Sequence, residues 1–489
     1  MTKRILVLLM LVFVLAGTNA FAANHYIRSG ASGANNGTDW TNAWSSLSQV
    51  SWTRGDVYYI AAGSYGTFTF STSTSGTSTI EIRGAIGGTG DHGTSTGWSD
   101  SFQGQALLSG GSSQFSTSYW TINGQAVPGC SYPSNNDACY TIKFVNPAVG
   151  SSPAAGQALF LCNGSGTCTN YLLEYVDVLG SNTEVKGGNF SDEGIYCYQT
   201  CNNTTIDHSY VHSAGCDTLS FNSGNAANLV LSYDWIAYND AGHANISGSF
   251  AHCQGIQHTA ATFTAKYDVW QDIQSSGVIT DAAGGNANFT EWDIYGNLFF
   301  WDAAWIAKWR GDSWVGLDNG IIGLYSVANT SGILRFYNNT ITSPGLASSQ
   351  NCTTVVYEIN SPMVLATVQA YNNIWYNFNS SECGAGAGAA GTYDYNAYYQ
   401  VSGGKGDNGA HSYSSSTNPF VNPAASTVAG FMLTADTNTG VQVASPFNTD
   451  MLGTTRGSSG IWDIGALQLS GTSSSLPPVP QNLHVVSIQ

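Results

Sequence analysis

Charge is what this 489-residue chain has least of: Asp, Glu, Lys and Arg make up 9% of it. Only 13 residues are basic against 30 acidic. A formal net charge of −17 argues against nucleic acid as a partner and against a broad basic surface that gathers acidic polymers, though a local basic groove stays open. Helical periodicity is missing over most of the length, and no apolar run after the first residues could cross a bilayer as a helix. The cysteine spacings match no zinc pattern, and no run of acids matches a calcium loop. Few charges with many Gly, Ser, Thr and Asn could describe a disordered chain. However, 12% aromatic and 42% hydrophobic residues supply a sizeable core.

What is present is a repeated phrase. Between Tyr171 and Gln400, short β-rich runs carry a central aromatic with Asn, Asp or Ser beside it. The copies are centred on Tyr175, Tyr233, Tyr267, Tyr295, Tyr337, Tyr371 and Tyr395, with a weaker one at Ser209-Tyr210-Val211. Tyr233 to Tyr267 is 34 residues, Tyr337 to Tyr371 is 34, and Tyr371 to Tyr395 is 24. Irregular periods of this size predict a parallel β-helix, whose loops vary in length while its strands stack. A propeller would repeat more evenly, at about 40–50 residues. Roughly ten turns are expected, with stacked aromatics filling the interior and stacked Asn residues in hydrogen-bonded ladders.

Residues 1–22 read as a secretory signal: Lys3 and Arg4, the apolar run Ile5 to Ala16, then Ala20-Phe21-Ala22. Without those two bases, 11 remain against 30 acids. Ten cysteines in an exported chain suggest disulfides. Cys130 with Cys139, Cys162 with Cys168 and Cys197 with Cys201 are close pairs, leaving Cys216 with Cys253 and Cys352 with Cys383 by elimination. Trp40, Ala43, Trp44 and Leu47 fall at i, i+3, i+4 and i+7, which predicts an amphipathic helix over 40–50 that caps the open end of the coil. Arg54-Gly55-Asp56 reads as the turn into the next strand rather than an adhesion motif. The body spans 23–470. The Ser/Pro-rich linker and tail, 471–489, end like the opening strand of a fibronectin-type module.

The Trp-Thr-Asn-Ala-Trp segment, Gly55-Asp56-Val57-Tyr58-Tyr59-Ile60-Ala61-Ala62-Gly63-Ser64-Tyr65, and the closing Asn418-Pro419-Phe420-Val421-Asn422 and Asp463-Ile464-Gly465-Ala466 together resemble secreted right-handed parallel β-helix proteins of the pectate-lyase-like superfamily. The resemblance covers nearly the whole mature chain. It implies an all-β, right-handed coil and leaves function open among lyases, hydrolases, epimerases and adhesins.

Three sets of residues could carry chemistry. Asp192, Asp217 and His243 are expected at equivalent places in successive turns, about 5 or 10 Å apart, which brackets the carboxylate separations of glycosidases. The segment from Gly242 is similar to a polygalacturonase Gly-His-Gly motif, with Cys216 and Ala244 departing from it. The second set lies in the longest repeat, 42 residues from Tyr295 to Tyr337. Trp301, Trp305 and Trp309 are expected to face a groove as sugar platforms, with Lys308, Arg310 and Asp312 among them. The resemblance to chondroitinase B and alginate lyases of this fold implies a Lys/Arg pair for β-elimination, with Lys308 or Lys266 as base, Arg310 on a uronate carboxylate, and calcium as the cofactor it allows. The third set is histidine. His208 and His212, four apart, are expected on one face of a strand near Asp207, where they could bind a metal. The composite expectation is an extracellular protein that binds and cleaves an acidic polysaccharide, by elimination or else by hydrolysis at Asp192/Asp217. A non-catalytic surface or matrix coil is the alternative.

Overall fold

The computed structural model describes residues 22–469 apart from 147–156, 165, 181–192, 216, 222–225, 239–253, 274–276, 282–289, 306–319, 325–327, 344–353, 359–363, 379–390, 438 and 458–461. The described strands form three all-parallel sheets of twelve, twelve and nine strands, here sheets I, II and III. One turn shows how they arise. Leu159–Leu161 lies in sheet III, Thr167–Glu174 in sheet I and Val176–Leu179 in sheet II. The next turn repeats them at Ile195–Cys197, Thr200–Asp207 and Tyr210–His212, each paired in parallel with its predecessor. Period-two alternation decides the faces: Leu159, Leu161, Leu173, Val176 and Val178 point into one continuous core. Sheets I and II exceed the roughly ten turns expected.

The corner between sheets I and II is a single residue in the left-handed region. Tyr175 (φ 53°), His208 (52°), Tyr233 (54°), Tyr267 (61°), Gly296 (69°), Asn338 (56°), Asn372 (60°) and Tyr395 (57°) occupy it in successive turns. A non-glycine residue there costs about 1–2 kcal/mol, and a ladder on the next residue offsets it. Asn339 Oδ1 accepts the Asn297 amide at 3.0 Å, Asn373 Oδ1 accepts Asn339, and Asn396 Oδ1 accepts Asn373, each at 2.9 Å. The side-chain amides continue the chain from rung to rung. Upstream, Asp234 and Asp268 occupy the same ladder.

The repeated aromatics do not fill the interior. At the corner the left-handed residue turns its side chain outward, so Tyr175 and Tyr233 are only half-buried. Aligned on the ladder, Tyr295, Tyr337 and Tyr371 stand one residue earlier, at the strand end. Gly296 shows why the first shift occurs: a Cβ there would meet the Tyr267 ring at 2.6 Å.

The expected capping helix is also corrected. Trp40, Ala43, Trp44 and Leu47 are buried as the spacing demanded, yet the only helical turn is a 3-10 turn at Leu47–Gln49. Trp44 instead pairs with Ile27 as an isolated parallel bridge, its amide donating to Tyr26 O. A helical residue could not offer both backbone groups to that edge. The C-terminal segment lies across the outer face of sheet II rather than closing an end. Phe431 packs on Phe300, Phe420 on Tyr376, and the Ala466 amide donates to Thr340 Oγ1. Arg54 donates to the carbonyls of Thr72, Ser118 and Tyr119, so the Arg-Gly-Asp run serves the fold. The three close cysteine pairs are bonded. Cys216, Cys253, Cys352 and Cys383 lie outside the described residues.

Candidate active site on the outer face of sheet I

From Arg83 onward, residues at the ends of the sheet I strands point outward, and parallel register stacks them in a column. Arg83, Asn123, Glu174, Asp207, Ser232 and Lys266 follow one another rung by rung, about 4.8 Å apart. Glu174 and Asp207 are therefore carboxyls on adjacent rungs. Burial, and then the charges of Asp207 and Glu81, push the Glu174 carboxyl up to about 7, with Arg83 opposing the shift. Arg83 is itself held by Glu81 at 2.7 Å and Asp91 at 2.8 Å. Asp207 accepts from Ser232 Oγ, and His208 Nδ1 lies 2.8 Å from its other oxygen. The Ser232 hydroxyl orients Asp207 beside Glu174, the carboxyl that burial and neighbouring charge push up to about 7.

Beside the column, the corner residues make an aromatic ridge. Tyr175 stacks on His208 at 4.8 Å, His208 on Tyr233 at 4.7 Å, and Tyr233 meets Tyr267 at 5.0 Å. Tyr132, from the loop closed by Cys130–Cys139, meets Tyr175 edge-on at 5.0 Å. Farther along, Phe447 of the C-terminal segment packs against Tyr295 and Tyr337. Flat rings beside hydrogen-bonding acids suit sugar rings, which have apolar faces and polar edges.

Of the residues singled out from sequence, Lys266 lies on this column, between Ser232 and Tyr295 and two rungs from Asp207. Asp217 does not: it precedes a sheet III strand, is 7% exposed, and accepts the Gln254 amide at 2.8 Å. Strand register puts Glu193, Asp217 and Gln254 at equivalent places, each two residues before a paired strand residue, so Gln254 holds the place expected for His243. Trp301 and Trp305 are buried in the coil's core and offer no face to a sugar; Trp301 Nε1 donates to Ile273 O at 2.7 Å. Replacing Trp301 with Phe is expected to cost about 1 kcal/mol in chemical denaturation, from that lost bond, and to leave glycan binding unchanged. Asp192, His243, Lys308, Trp309, Arg310 and Asp312 lie outside the described residues.

The histidine expectation fails at the corner. His208 sits in the left-handed position, so the chain turns there and His212 falls on sheet II. His212 Nε2 contacts Asp177 at 3.1 Å, in a cluster with Asp137. Lys143 Nζ lies 2.6 Å from both aspartates, so that cage already holds a cation. His258 points inward against Phe263 and Trp292, and burial pushes it down to about 3. Calcium takes hard oxygen donors. Glu174 and Asp207 offer two carboxyls of that kind on adjacent rungs.

Sequence reasoning missed Glu174 and named Asp207 only as a neighbour of a possible histidine metal site. Their signal was position: each immediately precedes the corner residue, Tyr175 or His208, that begins the ladder phrase.

No protein-family model matches the sequence, and no curated protein matches it significantly. Among solved structures, the crystal structure of pectate lyase Pel9A is similar, with a TM-score of 0.55 over 92% of this chain and 97% of that one, at 12% sequence identity. With the three all-parallel sheets, this identifies the chain as a right-handed parallel β-helix of pectate-lyase-like fold.

Proposed function

We propose that the protein binds a polysaccharide outside the cell along the outer face of sheet I and cleaves it, with Glu174 as acid and Asp207 as its carboxylate partner. The observation that carries this reading is the Glu174–Asp207 pair, one rung apart beside an aromatic ridge, with Glu174 protonated up to about pH 7. Similarity of fold to a pectate lyase and three disulfides support an exported, polysaccharide-active protein.

Rung spacing near 5 Å matches the roughly 5–5.5 Å between the carboxyls of retaining glycosidases. Glu174 gives its proton to the glycosidic oxygen as the C1–O bond breaks, and the bonding pair stays on that oxygen. Asp207 forms an ester at C1. Water then displaces Asp207 while Glu174, now a carboxylate, takes its proton back. Two acids in a chain of net charge −17 favour an uncharged sugar at the point of cleavage.

A second reading rests on Lys266, two rungs from Asp207 on the same column. Lys266 would take the C5 proton of a uronate; the pair forms the C4–C5 double bond, and the C4–O4 bond breaks with its pair on O4, which takes a proton from water. Calcium held by Glu174 and Asp207 would supply positive charge toward the uronate carboxylate.

Incubation with neutral and uronate polymers separates these readings. Reducing ends released without unsaturated-product absorbance support hydrolysis. That absorbance, abolished in Lys266→Ala, supports elimination. Binding without cleavage of any polymer would overturn both in favour of a non-catalytic coil.

A further inference from the structure

We infer that the outer face of sheet III carries a second glycan-binding surface, a rigid aromatic platform of Phe160, Tyr196 and Tyr198 that takes an uncharged polysaccharide. It lies on a different wall of the coil from Glu174 and does not depend on catalysis there.

Alternation in Leu159–Leu161 and Ile195–Cys197 sends the outer residues into the core and the middle ones, Phe160 and Tyr196, to the surface on adjacent rungs. Their rings meet edge-on at 5.2 Å. Tyr198 completes the trio, 6.0 Å from Phe160 and 6.2 Å from Tyr196. At 46% exposure it is one of two large hydrophobic residues that the described surface leaves open. Burying a ring is favourable, so an exposed Tyr198 backed by two half-buried rings is unusual for a surface without a ligand.

The mounting of Tyr198 is a second, independent observation. The residue sits in the short loop that the Cys197–Cys201 disulfide closes, and its amide donates to Leu161 O at 3.1 Å. Cys201 is in register with Cys168, whose disulfide to Cys162 closes the loop one rung below. All four cysteines are buried. Two crosslinked loops stacked on a β-coil hold the ring before any ligand arrives, which removes the ordering cost that weakens binding by mobile side chains.

Charge selects the ligand. The column through the platform runs Gln114, Phe160, Tyr196, Ser220, Gln257, with Ser220 buried and no ionisable acid or base other than the phenol. Asn163 Nδ2 donates to Gln114 Oε1 at 2.7 Å, which places two amides at one end. Among the described residues, the acids at the starts of these strands are engaged, Glu193 by Gln157 and Asp217 by the Gln254 amide. Rings with amides, and no described cation on the column for a uronate, fit a neutral glycan. A chain along the coil axis meets a new rung about every 4.8 Å, close to one pyranose ring.

The test is affinity electrophoresis of the full chain in gels containing hydroxyethylcellulose, galactomannan or polygalacturonate. Retardation by at least one of the neutral polymers is expected. Tyr198→Ala should weaken it about 10-fold, the loss of one stacked ring, while Tyr198→Phe should retain it. A polymer that retards the chain through Tyr198 without being cleaved supports the platform alone, and one that is cleaved without Tyr198-dependent retardation supports the catalytic reading alone, which separates failure of the platform from failure of the catalytic reading. Unchanged retardation in Tyr198→Ala, no retardation by either neutral polymer, or a Tyr198-dependent retardation by polygalacturonate would each overturn the inference.

Discussion

Glu174→Gln is expected to lower polysaccharide cleavage by about 10²–10⁴-fold, the usual contribution of a positioned general acid, with binding retained. Glutamine keeps the shape and a hydrogen-bond donor but has no proton to give to a leaving oxygen. The same group predicts the pH profile. Glu174 is protonated below about 7, so cleavage should fall as pH rises through that value, and the limb should disappear in the variant's residual activity. Asp207→Asn should be comparably damaging while the alkaline limb persists, because it removes the partner and not the acid. Product release measured across pH 4–9 decides the assignment. An unchanged rate in Glu174→Gln would remove this pair from catalysis.

The ladder gives the second large effect, and the sign differs between its two halves. Asn339→Ala deletes a fully buried rung that accepts the Asn297 amide and donates to Ile294 O and Asn373 Oδ1. With each stranded polar group costing about 1–3 kcal/mol, a loss of about 3–5 kcal/mol is expected, read as a lower denaturant midpoint. Asp268→Asn should stabilise. Asp268 is fully buried and its Oδ2 has no hydrogen-bond partner, whereas an asparagine could donate to Asn297 Oδ1 as the downstream rungs do. Burial, then the nearby Asp207, holds the Asp268 carboxyl well above the usual carboxylate range, with Lys266 opposing. Its neighbour Asp234 is raised by burial and by Asp268. Below the unfolded value, about 3.9, the acid is protonated in both states and its contribution is fully present. As pH rises above that value only the unfolded chain ionises, so stability falls until the folded group also titrates. The gain from Asp268→Asn, about 1–3 kcal/mol, should therefore be larger at pH 7 than at pH 4. An equal gain at both would contradict burial of a protonated acid.

The coil was legible because its cause is local and repeated. Alternating Leu, Ile and Val over three to five residues, an Asx one or two residues after each of the seven central tyrosines, and a drifting period all recur, and parallel stacking turns recurrence into three sheets. Burial of Trp40, Ala43, Trp44 and Leu47 was legible for a similar reason, since apolar spacing reports which residues leave water. It does not report the backbone that takes them there, and Trp44 became a bridge to Ile27 instead of a helical residue.

The candidate site was far less legible. Tryptophan-rich sequence around Trp301 and Trp305 read as a sugar platform, but composition cannot distinguish an indole that faces solvent from one that faces the core. His208 and His212 read as one face because their spacing is even; His208 is the left-handed corner between two strands, and only His212 lies on a sheet. Glu174 and Asp207 lie 33 residues apart in the chain, and neither differs from any other strand-end acid until register sets them side by side. Sequence alone thus determined the stacking coil and its local disulfides, because these follow from short-range pattern. Which acids share a rung, which rings face out and which acid stays protonated were decided only by tertiary structure, because they depend on register, corner geometry and burial, which join residues a full turn apart.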